Sequence, residues 1–399
     1  MSRSTTPSDH DVQVFSNAVE DSAIESSWKS IRCDSKSLLQ VADVVAISHK
    51  GRYVAVGGKI DNLSLLDCQS GKCIWSTIIN KPLLTVSFSS DDTLVVAAGY
   101  DCAVTVINVS SGDVVWKVSR TSYISCASFS PDDKLVAVGG SDNTTALLDA
   151  ENGHIRWETK SKSAVVVIKW AHDSLHFAVG TRDGTVCLHS FQKCEPVWTV
   201  KCKDRIYAAA FLPDNRRLAV AAGRSGLILH DVHTGKQSAD MNFKFDDDGT
   251  KAVKAAGGHV ATNSEIGVTR DDDIDDDDDK GTLMALNVSP DGKYMSAGHM
   301  IVGEFQCAKI TVFDIVEKKR VWQRRFEGGR ICSCCFSEDS KSVLTIDAKE
   351  GIQLIEFATD KQKWGEKQAA KVLSAFSDGK HVMVVTKTNA FWSLSGFST

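Results

Sequence analysis

An all-β fold is what this sequence predicts, and three observations lead to it. Residues 84 to 120 contain four short apolar or alternating runs, separated by Ser-Asp-Asp, Gly-Tyr-Asp and Ser-Ser-Gly. This is the pattern of four antiparallel strands joined by tight turns. The pattern also recurs. A large apolar residue stands at Ile47, Phe88, Phe129, Trp170 and Phe211, each 41 residues after the last, and again at Val288, Phe336 and Phe376. Lastly, the two ends of the chain complement each other: Trp28, in Ser-Ser-Trp-Lys-Ser-Ile-Arg, reads as a fourth strand without a sheet, while the last copy stops after three strands. A lone four-stranded sheet cannot bury both faces, so the copies must stack. Joining the ends then gives an eight-bladed β-propeller of four-stranded antiparallel blades, closed by the N-terminal strand; closure removes exposed edges. Seven blades is the alternative.

Taken in order, residues 1–22 are rich in Ser, Thr, Asp and Glu without periodicity, the composition of a disordered polar tail. Residues 23–399 are expected to form one propeller domain. Residues 26–32 supply the closing strand, and truncation before residue 35 is expected to open the ring. Blades one to five follow from about 44 to 244. Their first-to-second turns carry Asp91-Asp92, Asp132-Asp133 and Pro213-Asp214-Asn215, and Gly71, Gly112, Gly153 and Gly235 open the third-to-fourth turn, where positive φ favours glycine. Second strands such as 94–98 and 135–138 are almost continuously apolar, as burial on both faces requires. Fourth strands carry Trp75, Trp116, Trp157, Trp198, Trp322 and Trp364, with Ala239 in the gap.

After blade five, 77 residues separate Phe211 from Val288, an insertion of 36 at about 245–281. Twelve acids against four bases give it a charge of −8, so the remainder of a chain of net charge −5 is +3. Such a segment is expected to stay solvated. Blade six spans about 282–327 with a longer loop around Met300 to Phe305, blade seven about 330–368, and three strands from about 371 to 396 complete the repeat.

The polar N-terminus lacks the apolar core of a signal peptide, and no apolar run is long enough to span a bilayer. A cytoplasmic protein is expected, with the nucleus as the alternative. The twelve cysteines lie in or beside repeat strands without zinc spacing, and read as small core residues of a reducing compartment.

The run Ser-Pro-Asp-Asp-Lys-Leu-Val-Ala-Val-Gly-Gly-Ser-Asp-Asn at 130–143, the Ser-Pro-Asp-Gly-Lys run at 289–293 and the period together resemble the WD-repeat propeller family. The resemblance implies a scaffold that binds protein partners through its loops, and a turn aspartate at Asp101, Asp142 and Asp183, with Asp61 one residue late. The chain departs from the family at the end of the third strand, where Leu66-Asp67, Ile107-Asn108, Leu148-Asp149, His189-Ser190, His230-Asp231, Phe313-Asp314 and Ile355-Glu356 replace Trp-Asp, and the family's Gly-His is absent. Asp-Ala-Glu-Asn-Gly-His-Ile-Arg-Trp-Glu at 149–158 is similar to the repeat of eight-bladed quinoprotein dehydrogenases, and vicinal Cys334-Cys335 is similar to a feature of some of them. That second resemblance implies an oxidoreductase.

No phosphate loop, nucleophile elbow, dinucleotide fingerprint or His-Glu-x-x-His is present, so no catalytic residue, cofactor or metal is assigned. Strand alternation sends Cys332 and Cys334 to one face and Cys335 to the other, which suits packing better than ligation. His189 and His230 occupy equivalent positions and read as packing residues. The Asp271 to Asp279 run lacks the glycine and glutamate of a calcium loop.

Charge placement is the remaining signal. Basic residues follow the fourth-strand tryptophan position in every copy, and Lys117, Arg120, Lys160, Lys162, Lys201, Lys203, Arg205, Arg324, Arg325 and Arg330 are the candidate partner-binding residues. Fourth-to-first connections emerge on one face of a propeller, and the acidic insertion is one of them. Its Asp271, Asp272, Asp273, Asp275, Asp276, Asp277, Asp278 and Asp279 are therefore the candidate regulatory residues, a tethered counter-ion competing with an acidic partner. Binding of anionic lipid or nucleic acid through the basic rim is the alternative; nucleic acid fits less well than protein, because net charge is negative and no aromatic residues interleave with the basic positions. The expectation is a monomeric propeller, without catalysis, inside a complex of unidentified protein partners.

Overall fold

The computed structural model describes residues 28–32, 42–243 and 282–395, apart from 59–61, 69, 193–194, 224–225, 302–306, 328–330, 338, 348–350, 367–371, 378–380 and 387–389. The polar tail, the acidic insertion with Asp271 to Asp279, and Arg330 lie outside the described residues. All regular structure among the described residues is β, in antiparallel four-stranded sheets.

Seven sheets are each built from four consecutive strands, at 42–78, 83–119, 124–160, 165–201, 206–243, 282–327 and 331–366. The eighth joins the two ends of the chain. Trp28–Arg32 pairs antiparallel with Ala390–Ser395, which pairs in turn with His381–Thr386 and Val372–Ser377. In register, Lys29 faces Ser393 and Ile31 faces Phe391. The first strand of each sheet lies beside the first strand of the next, and that of the eighth lies beside that of the first. The sheets are thus disposed as the blades of a β-propeller, and they are numbered one to eight below.

Burial follows strand position, as stacking demands. The second strand of blade three, Leu135–Gly140, is buried on both faces, whereas the fourth strands Cys73–Ile78 and Ile155–Lys160 alternate between partly buried and exposed. Separate apolar clusters fill the gaps between neighbouring blades. One joins Ala55, Leu63 and Leu65 of blade one to Val86, Phe88 and Ile107 of blade two. Large apolar residues therefore recur at fixed offsets because each fills the same gap in the stack.

The fourth-strand tryptophans of blades one, two and four dock onto the next blade through a backbone carbonyl. Trp75 donates its indole N–H to the Val109 carbonyl at 2.7 Å, Trp116 to Ala150 at 2.8 Å and Trp198 to Val232 at 2.7 Å. The ring of each lies against the turn glycine that follows: a Cβ on Gly112 would meet Trp75 at 2.7 Å, and Cβ atoms on Gly153 and Gly235 would meet Trp116 and Trp198 at 2.8 Å. Those glycines also hold φ of +77°, +74° and +67°. Both the conformation and the close ring thus exclude a side chain.

One expectation about element bounds is corrected. Blade six pairs Met300 with Ala308 and Ile301 with Cys307, so its second strand reaches Ile301, beyond the start expected for the loop. Continued pairing satisfies backbone groups that a longer loop would leave to solvent.

Candidate functional site

Antiparallel order places second-to-third turns and fourth-to-first connections on one face, here the upper, and the other two sets of turns on the lower. On the upper face the turn aspartates organise local backbone. Asp142 accepts from the Thr144 amide at 3.0 Å, and Asp183 from the Thr185 amide at 3.2 Å and the Thr181 hydroxyl at 2.6 Å. Burial opposes ionisation of Asp183, but Lys201 and the hydroxyls of Thr181 and Thr185 prevail and hold it well below the usual carboxylate range.

These aspartates also take up part of the predicted basic set. Lys117 pairs with Asp101 at 3.0 Å and Lys201 with Asp183 at 2.6 Å, while Arg120 pairs with Glu158 at 2.8 Å and donates to the Thr144 hydroxyl at 3.2 Å. Lys160, Lys162 and Lys203 are exposed and form no ion pair with another described residue. The Arg205 guanidinium lies 5.4 Å from the Tyr207 ring centre, and Tyr100 and Tyr123 pair at 5.3 Å on the same face. Aromatic groups therefore do accompany the basic turns, which sequence inspection did not anticipate. They escaped notice because Tyr100 and Tyr123 belong to turns of different blades.

Arg324 is drawn elsewhere. Its guanidinium reaches Asp360 at 4.0 Å and lies over Phe326 at 5.8 Å. Asp360 belongs to a third-to-fourth turn, so this contact faces the lower side. Arg325 is exposed.

His189 and His230 do not converge. His189 stacks on Phe177 at 5.2 Å and meets Trp157 edge-on at 5.0 Å, whereas His230 packs beside Trp198 and donates from Nδ1 to the Gly235 carbonyl at 3.0 Å. Burial lowers both, His189 to about 4. Each occupies a place that Phe313 or an aliphatic residue fills in other blades, so both serve as packing groups. Cys334 is buried against Ser296, with its Sγ 3.4 Å from the hydroxyl, and burial pushes its thiol up to about 11. Such a thiol is inert at neutral pH. The side chains of Cys332 and Cys335 lie outside the described residues.

A family model, PQQ_2, described as outer membrane protein assembly factor BamB, matches residues 25–169. This stretch holds Trp28, Trp75, Trp116 and Trp157, and the match supports a relationship to quinoprotein-type β-propellers. No curated protein matches the chain. Among the described residues no three His, Cys, Asp or Glu side chains converge as a metal site. No helix among them is long and apolar enough to cross a membrane.

Proposed function

We propose that this protein is a non-catalytic scaffold, similar in use to WD-repeat propellers, that binds protein partners through the upper face. The observation that carries this reading is the selective neutralisation of that face. Asp101, Asp183 and Glu158 occupy Lys117, Lys201 and Arg120, while Lys160, Lys162 and Lys203 stay exposed across blades three to five. A face that carries three ammonium groups without an ion-pair partner among the described residues, and aromatic turns on the same side, suits an acidic protein segment. Arg205 and Arg325 extend the same set of connections; Arg324 and Arg330 belong to it by sequence position.

The acidic insertion, which enters the same set of connections between blades five and six, competes with that partner in this scheme. We place the protein in the cytoplasm or nucleus, inside a complex. The partial match to a family described by an assembly factor is compatible with a scaffold and also with an oxidoreductase relative.

The test is purification of the tagged protein from its own source, intact and without 246–280, with bound species identified by mass spectrometry. Reproducible protein partners, enriched and more salt-sensitive after deletion, support the scaffold and the competing loop. A stoichiometric organic cofactor without protein partners supports the oxidoreductase reading instead.

A further inference from the structure

Two kinds of connector join neighbouring blades on the lower face. One is tryptophan docking. The other is a clasp between first-to-second turns, in which a residue held at positive φ accepts from backbone N–H groups of the preceding blade. His49 and Lys50 donate to Asp92 at 2.6 and 2.9 Å, Ser90 and Asp91 to Asp133 at 2.7 and 3.1 Å, and His172 to Asn215 at 3.0 Å. Asp92, Asp133 and Asn215 have φ of 64°, 59° and 53°. Asp and Asn tolerate this conformation better than other side chains. Blades six and seven use a variant: Asp291 N–H donates to the Ser340 hydroxyl at 3.3 Å, and Trp322 donates to Asp360 at 2.7 Å.

Among the described residues, two interfaces lack both connectors. Between blades three and four, Pro131, which has no N–H, stands where His49 and Ser90 donate; the Asp132 amide makes no bond across among the described residues, and Ser174, at φ 58°, replaces the acidic or amide acceptor without bonding across. At the same interface Trp157 has no acceptor for its indole N–H among the described residues. The receiving turn, Ser190 to Pro196, contains no glycine. Between blades five and six, Gly292 has no acceptor side chain and faces the Pro213 ring, while Ala239 stands in the tryptophan position. At both interfaces a proline replaces the first donor and the acceptor side chain is shortened or absent, and among the described residues neither a clasp nor a tryptophan bond spans them; where Pro290 stands, by contrast, the next amide, of Asp291, still reaches Ser340.

The inner strands remain joined at the interface between blades three and four. Ser125 donates to the Val165 carbonyl, and Trp170 donates to Ser128 at 3.3 Å. Cys126, Val165 and Trp170 share one apolar cluster there.

We infer that the interface between blades three and four is a hinge: blades one to three and blades four and five are separately clasped arcs, and their outer lower edges part while the inner strands stay in contact. Opening uncovers Trp157, Phe177 and His189, whose rings fill the outer gap. The interface between blades five and six, which lacks the same connectors, is the other boundary of the second arc. The hinge is independent of whether the upper face binds an acidic partner.

Amide hydrogen exchange of the full chain under native conditions tests the hinge. Peptides spanning Ile155–Lys160 and Thr185–Ser190 are expected to exchange at least tenfold faster than the equivalent Val114–Ser119 and Thr144–Asp149. A double variant, Pro131→Ser with Ser174→Asp, restores donor and acceptor as at blades two and three and should bring the rates together. Conversely, Asp133→Ala should raise exchange at the clasped interface of blades two and three. This second variant decides the matter if the double variant fails to fold. Equal protection at these interfaces in the unaltered protein, or no response to either variant, would overturn the hinge.

Discussion

Replacing Trp116 and Trp157 by phenylalanine, one at a time, separates the hydrogen-bonded dock from simple packing. Trp116 is 8% exposed, lies on Gly153 and donates to the Ala150 carbonyl at 2.8 Å. Phenylalanine keeps an aromatic ring but loses that bond and leaves the carbonyl with one partner fewer, which costs about 1–2 kcal/mol. The smaller ring also gives up roughly 40 Å² of apolar contact, or about 1 kcal/mol. Trp116→Phe should therefore destabilise by about 2–3 kcal/mol. Trp157 has the packing loss but no docking bond to another described residue, so Trp157→Phe should cost only about 1 kcal/mol. Equilibrium urea unfolding followed by tryptophan fluorescence and far-ultraviolet circular dichroism supplies both values, provided the slopes agree with the unaltered protein. Equal losses for the two variants would refute the claim that the carbonyl bond is what distinguishes the docked interfaces.

Other expectations follow from the same contacts. Asp133→Ala removes the acceptor for the Ser90 and Asp91 amides and should cost about 1–3 kcal/mol; Asp133→Asn, which keeps one acceptor oxygen of the two, should recover only part of it, and thermal melting of the pair checks this. His189 has its pKa lowered to about 4 by burial, so the folded protein binds fewer protons than the unfolded chain between about pH 6.5 and 4. Its contribution is complete above the unfolded value and is lost as pH falls through the folded one, a change of about 3 kcal/mol. His189→Phe, the residue that stands at this place in blade six, should flatten that part of the stability profile, and an unchanged profile would assign the acid sensitivity to another group. Gly153→Ala, at φ +74° and against the Trp116 ring, should cost about 2 kcal/mol or more, and a melting temperature equal to the unaltered protein would deny the close approach.

Much of the architecture was legible because stacking constrains the sequence periodically. The 41-residue spacing, the doubly buried second strands and the turn glycines are each forced by local geometry, and each appears in the structure where the pattern put it. The bond partners of those features were not legible. Asp92 and Asp133 read as ordinary turn residues, and only the packed blades show that they accept from the turn of the preceding blade, 42 or 43 residues away. Pro131 and Ser174 look unrelated for the same reason. Tryptophans were visible as markers, yet their acceptors lie 34 residues on, in the next blade. At the candidate site the basic residues were visible, whereas the pairing of Lys117 with Asp101 and Lys201 with Asp183 depended on strand register. The exposed subset Lys160, Lys162 and Lys203 emerged only after those pairs were known.

Disulfide formation across the closing sheet measures directly whether one N-terminal strand completes the ring. Lys29 and Ser393 face each other in that sheet, so Lys29→Cys with Ser393→Cys should join the ends of a single chain on mild oxidation, as mass spectrometry of the digested monomer would reveal. The joined protein should melt at or above the temperature of the unaltered one. Failure to form the link in folded monomer, together with unchanged melting when residues 1–34 are removed, would contradict closure of the propeller by its two ends.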